Sequence, residues 1–192
     1  EGAAIVTAVN TLTAANTTSG LINVQDTNGD LAINTVNNGN RPVRLESVGA
    51  ITDNNGGNNN IISGDLVLVA VNGIDLDTTS ARLNARNYTS GNIDIYNIGD
   101  LVINDFALGT GWGVENPGGS ASIQTTNSIL IPGTFGDGVY ANDSVILTAD
   151  SDIRGGSSGN GITAVEANSG TVVLNAGGNI YLGESGYSDV YA

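Results

Sequence analysis

Between Gly91 and Asn104 the chain reads Gly-Asn-Ile-Asp-Ile-Tyr-Asn-Ile-Gly-Asp-Leu-Val-Ile-Asn, one pattern stated twice. A Gly and a polar residue precede an alternating apolar triplet, Ile93-Asp94-Ile95 and then, eight residues later, Leu101-Val102-Ile103. Alternation with period two puts Ile93 and Ile95 on one face of a short strand and Asp94 on the other. The Gly-Asn and Gly-Asp pairs are turn chemistry. Eight residues are too few for a crossover helix, and no two-residue hairpin signal lies between the triplets, so the chain is expected to turn a corner.

The same wording returns along the chain. First triplets start at Ala4, Ile22, Val43, Leu66, Ile93, Ala121, Val145 and Val172, at intervals of 18, 21, 23, 27, 28, 24 and 27. Second triplets follow at Leu12, Leu31, Ala50, Ile74, Leu101, Ile129, Ile153 and Ile180, with those at Ala50 and Ile153 weak. A looser third apolar site recurs near Val36, Ile61, Leu83, Leu108, Val139, Ile162 and Val190. Self-similarity at this period marks a repeat architecture. The expected fold is all-β: a right-handed parallel β-helix of about eight coils, each of roughly 18–28 residues with three short strands. Stacked at about 4.8 Å, the coils make a rod about 38 Å long. The short early coils predict a cross-section that widens toward the C-terminus, and the chain 1–192 reads as a single repeat segment.

The corners carry an independent signal in phase with the triplets. Gly91-Asn92, Gly119-Ser120, Asp143-Ser144 and Gly170-Thr171 stand before first triplets, and Gly99-Asp100, Asn127-Ser128, Ser151-Asp152 and Gly178-Asn179 before second ones. Gly permits a positive φ at a corner, and short polar side chains can bond to the turn of the next coil. Ile95, Ile103, Leu147, Leu174 and Leu182 are the predicted inward residues.

Composition narrows the chemistry. The chain has 5 basic and 19 acidic residues, a net charge of −14, which argues against nucleic acid and anionic lipid as partners. Cys and His are absent, which removes disulfides, thiol and imidazole chemistry and the usual zinc ligands. No apolar run approaches the length of a membrane span.

The segments Ser169–Leu182 (Ser-Gly-Thr-Val-Val-Leu-Asn-Ala-Gly-Gly-Asn-Ile-Tyr-Leu) and Asp143–Ile153 (Asp-Ser-Val-Ile-Leu-Thr-Ala-Asp-Ser-Asp-Ile) resemble the repeats of filamentous-haemagglutinin-type, two-partner-secreted bacterial adhesins. The resemblance covers most of the chain but includes neither that family's secretion domain nor an adhesive tip. It implies a right-handed β-helical shaft, exported to the bacterial surface, without catalysis. The resulting expectation is a structural, non-catalytic segment of an extracellular adhesin-like shaft, in contact with neighbouring coils. The alternative is a self-assembling filament or sheath subunit that stacks end to end on identical copies. Neither Glu1-Gly2-Ala3 nor the stretch from Ser188 to Ala192 reads as a cap.

β-Helices also host carbohydrate-active enzymes, and the paired carboxylates Asp75 with Asp77 and Asp150 with Asp152 have the spacing to share one strand face. Without His or Lys the pectin hydrolases' motifs cannot occur, and the preferred reading of these pairs is solvated acidic residues. The expectation is therefore no catalytic residue, no metal site and no cofactor, with weak calcium binding the one open contribution. Asp26-Thr27-Asn28-Gly29-Asp30 lacks the remaining ligands of a calcium loop and reads as an Asn-Gly turn. The longest break in the repeat, from Phe106 to Gly119, holds the only Trp. Trp112, Glu115 and Asn116 are the candidate ligand-binding residues, with an exposed indole stacking on a sugar ring of a glycan. The competing reading packs Trp112 over the flank of the coil. Phe106 and Phe135 are expected to stack on each other in adjacent coils.

Overall fold

The computed structural model describes residues 4–132, 137–155, 164–182 and 190–191; Phe135 and Ile162 lie outside them. Every described element is a strand, and the twenty strands form one continuous sheet with parallel pairing throughout. Successive coils therefore stack as a β-solenoid with three faces.

The first face runs through Thr11–Ala15, Leu31–Asn37, Ile51–Asp53, the start of Ile74–Asn87, Ile93–Asn97, Ala121–Thr125, Val145–Ala149 and Val172–Ala176, eight rungs separated by seven turns. The second face joins Leu101–Ile103, Ile129–Ile131, Ile153–Gly155 and Ile180–Leu182. The third joins Ile22–Asp26, Val43–Ser47, the end of Ile61–Ala70, the end of Ile74–Asn87, Val114–Asn116, Val139–Ala141 and Val165–Ala167.

This register corrects the triplet alignment. The triplets at Ile22, Val43 and Leu66 belong to the third face, whereas those at Ile93, Ala121, Val145 and Val172 belong to the first. Leu66 pairs with Leu83, a step of 17 residues, and Ile93 pairs with Ile74. The physical cause is the coil Ile74–Asn87, a single strand of 14 residues that covers all three faces. It contains no Gly and no corner excursion, so nothing in its wording marks where one face ends. The eight-residue spacing occurs at two different corners, Leu66 to Ile74 and Ile93 to Leu101, and these look alike in sequence. On the third face Val114, not Leu108, supplies the apolar rung after Leu83 and Ala85. First-face turns take 20 residues from Leu31 to Ile51, 23 from there to Ile74, 19 to Ile93, 28 to Ala121, 24 to Val145 and 27 to Val172, so the longer turns lie in the C-terminal half.

Inward Ile, Leu and Val form one core along the axis, and Ile95, Ile103 and Leu147 lie in it. Leu174 and Leu182 point inward but are only partly buried in the last coil. At the other end Ile5 and Val6 are exposed, and an opening of about 430 Å³ lies among Ile5, Leu12, Ile22 and their neighbours.

The corners are tied from coil to coil as the sequence leads one to expect. The Asn92 side chain accepts the Ser120 N–H (3.1 Å), Ser120 Oγ accepts that of Ser144 (3.2 Å), and Ser144 Oγ accepts that of Thr171 (3.1 Å). Asp100 likewise accepts the Ser128 N–H (3.0 Å), and Asp152 the Asn179 N–H (2.8 Å). Each bond satisfies a corner amide that strand pairing leaves over. Gly91, at φ +84°, has no room for a side chain, since a Cβ there meets the Asn72 carbonyl oxygen at 2.3 Å.

Candidate functional site

The break after Ile103 becomes an excursion, 104–113, between the second and third faces. Two polar side chains shape it. The Asp105 carboxylate accepts the N–H groups of Leu108 (3.2 Å), Gly109 (2.8 Å) and Gly111 (2.8 Å). Asn84, wholly buried on the preceding coil, accepts from Ala107 and Leu108 at 3.0 Å each and donates to the carbonyls of Trp112 (3.3 Å) and Gly113 (3.0 Å). Beside it the Arg82 guanidinium, held by two 2.6 Å bonds to Asp65, lies 4.6 Å from the Phe106 ring centroid. Among the described residues Arg82 is thus a ring partner of Phe106. The excursion is folded back on the coil before it and fixed there.

Trp112 emerges from this loop half-buried, with its ring 5.5 Å from that of Tyr140 on the next coil and tilted by 34°. The outward row of the third face passes below it in the order Arg86, Glu115, Tyr140, Glu166. Arg86 Nε and Glu115 Oε2 are both buried and stand 3.2 Å apart without an aligned hydrogen bond, a charge contact. The Arg86 guanidinium also covers one face of the half-exposed Tyr88 ring, 4.4 Å from its centroid. Two aromatic surfaces therefore flank a neutralised ion pair.

Of the three candidate residues, Trp112 and Glu115 come together on this flank, and Asn116 does not join them. Asn116 points inward and is fully buried. Its amide donates to the carbonyls of Ser120 (2.6 Å) and Gly91 (3.2 Å), and its oxygen accepts from Asn87 Nδ2 (3.0 Å) and the Gly118 N–H (3.2 Å). The correction follows from strand parity: Glu115 and Asn116 are neighbours, so they face opposite sides of the sheet. Tyr88, Arg86 and Tyr140 are the members that sequence reading missed. They become neighbours only through the register Arg86–Glu115–Tyr140, which the slip in alignment hid.

The acidic pairs sit elsewhere. Asp75 and Asp94 are rung neighbours on the outside of the first face. Burial, and then the Asp75 carboxylate, push Asp94 above the ordinary value of 3.8, while the Ser122 hydroxyl opposes the shift. Burial followed by Asp53 and Asp75 raises Asp77 as well. Asp53 moves the other way, held low by the Asn60 amide at 2.6 Å and then by the Asn55 N–H at 2.8 Å. Asp152 is lowered by the Asn179 N–H and then by Arg154. Asp26 and Asp30 flank a turn: Asp26, ending its strand, is buried and accepts the Val9 N–H at 2.9 Å, and Asp30, at the corner before Leu31, accepts that of Ala50 at 2.8 Å. Among the described residues no group of three or more acidic side chains is arranged to hold a metal ion.

Comparisons with protein-family models, with curated proteins and with solved structures returned no match.

Proposed function

We propose that this chain is a structural, non-catalytic segment of an extracellular shaft of the adhesin type. The observation that carries the reading is the disposition of the polar side chains. Outward residues lie in parallel rows one rung apart, as in Arg86–Glu115–Tyr140–Glu166, and the inward polar residues Asn87, Asn97 and Asn116 are spent on main-chain groups and on one another. Catalysis needs groups that converge on one reacting atom, whereas rows spread them along an axis. The resemblance of the repeats to filamentous-haemagglutinin-type shafts supports the same reading, and a bacterial surface is the location that it implies.

A second reading, a filament subunit, is favoured by the end rungs. Ile5 and Ile180 are 64% and 45% exposed, although their counterparts on inner rungs are fully buried. Exposed strand edges with apolar flanks invite pairing with further strands. In a shaft those strands belong to the same protein; in a filament they belong to identical copies. Electron microscopy of the purified chain separates the two, with regular filaments of uniform width pointing to the subunit and irregular aggregates to the shaft segment. A dispersed monomer at high concentration contradicts both. Release of product from polygalacturonate, lost on mutating Asp150 or Asp152, overturns the non-catalytic reading.

A further inference from the structure

We infer that the flank from Tyr88 to Tyr140 is a saccharide-binding strip that takes an uncharged hexose oligomer lying along the solenoid axis. The chemistry begins with its two aromatic surfaces. Tyr88 has one ring face covered by Arg86 and is half exposed, and Trp112 and Tyr140, one and two coils further on, form a tilted pair. Aromatic rings with one wet side are the surfaces on which the C–H faces of pyranose rings stack. Adjacent rungs are about 4.8 Å apart, comparable to the advance of one sugar in an extended chain, so Tyr88 and the Trp112–Tyr140 pair suit residues about one to two sugars apart. Between them, Arg86 and Glu115 supply donors and acceptors to ring hydroxyls, and Glu166 adds an acceptor beyond Tyr140.

Charge selects the class of ligand. The molecule as a whole carries −14 and repels uronates and other anionic polymers. A cationic ligand is disfavoured at the centre of the strip, because Arg86 already occupies the Tyr88 face and already neutralises Glu115. An uncharged ligand meets neither penalty. The strip is also prepared in advance: Trp112 is held by the bonds of Asn84 and Asp105 to its loop, so little loop ordering opposes binding.

Trp112 is the only tryptophan, so fluorescence excited selectively at tryptophan reports on this strip. Cellohexaose and laminarihexaose are titrated into the whole chain while emission and acrylamide quenching are followed, with polygalacturonate and oligolysine as charged controls. The expected result is a saturable change in emission and reduced quenching with at least one neutral hexose oligomer, and no change with either charged polymer. Tyr88→Ala and Tyr140→Ala each weaken that binding by about fivefold, whereas Ile146→Ser, on a different face, leaves it unchanged. No response to either neutral oligomer overturns the inference, as does a response confined to polygalacturonate or oligolysine. A response that Tyr88→Ala and Tyr140→Ala leave unaltered overturns it too. The quenching measurement on the unaltered chain stands even if a variant folds poorly. A negative result here leaves the shaft reading intact, since that reading rests on the outward rows of side chains and on inward polar residues already spent on the main chain.

Discussion

The coil Ile74–Asn87 and the coil that follows it, Ile93 to Asn116, cover the same three faces in very different ways. The first does so in one 14-residue strand, and the second in strands of 5, 3 and 3 residues with the excursion 104–113 between the last two. In the tight coil successive residues pair with rungs on either side, and it displays no loop. Its outward side chains nonetheless shape its neighbour: Asn84 and Arg82 reach across to Ala107, Leu108 and Phe106 and hold the loop that presents Trp112. Rigid and elaborated coils thus work as a pair, and the flank with binding chemistry lies where the two meet.

The largest effect that separates them is in the core. Leu83, fully buried in the tight coil, should cost about 2–5 kcal/mol when truncated in Leu83→Ala. Leu108 occupies the corresponding place in sequence wording but is half-buried in the excursion, so Leu108→Ala should cost about 1 kcal/mol. Denaturant melts of the two variants measure the difference; equal losses would mean that the excursion is part of the core. A smaller effect is expected from Asn84→Ala, about 1–3 kcal/mol, because it leaves the part-buried amide of Ala107 without this acceptor and that of Leu108 with Asp105 alone. The same variant should increase acrylamide quenching of Trp112, and unchanged quenching would show that the loop stands without its anchor.

The smallest expected effect has the opposite sign. Asp75 on the tight coil and Asp94 on the next form a like-charge rung pair with no basic residue between them in register. The folded pKa of Asp94 is raised, so its ionised form is less favourable folded than unfolded. Asp94→Asn should therefore stabilise the chain at neutral pH by about 0.2–1 kcal/mol. That advantage shrinks as pH falls through the raised pKa toward 3.8, where the native carboxyl takes up its proton. Thermal melts across that range test it, and an advantage that grows with acidity would contradict the assigned direction.

The fold was legible because its signals are periodic and redundant. Alternating triplets mark the strands, and Gly with Asn, Ser or Asp marks the corners, whose coil-to-coil bonds Asn92–Ser120–Ser144–Thr171 are present as read. The register was not legible, because identical eight-residue spacings serve two different corners and Ile74–Asn87 crosses its corners without a Gly. Trp112 stood out as the only one of its kind, and Glu115 as its neighbour. Asn116 was misplaced because facing is set by strand parity, which could not be assigned before the third face was known. Tyr140 and Arg86 lie 28 and 26 residues from Trp112 along the chain, and only the ladder brings them to it.

The central structural claim, that the tight coil carries all three faces and shifts the apparent repeat, is open to one direct test. The chain has no cysteine, so an introduced pair reports without background. Register neighbours on parallel strands lie within the Cα separation that a disulfide spans. Asp75→Cys with Asp94→Cys joins residues that the observed pairing places side by side on the outside of the first face. Val67→Cys with Asp94→Cys joins residues that would be neighbours only if Leu66 stacked on Ile93. The account predicts rapid, near-complete oxidation of the first pair in the folded chain and none of the second; cross-linking of the second pair in place of the first would contradict it.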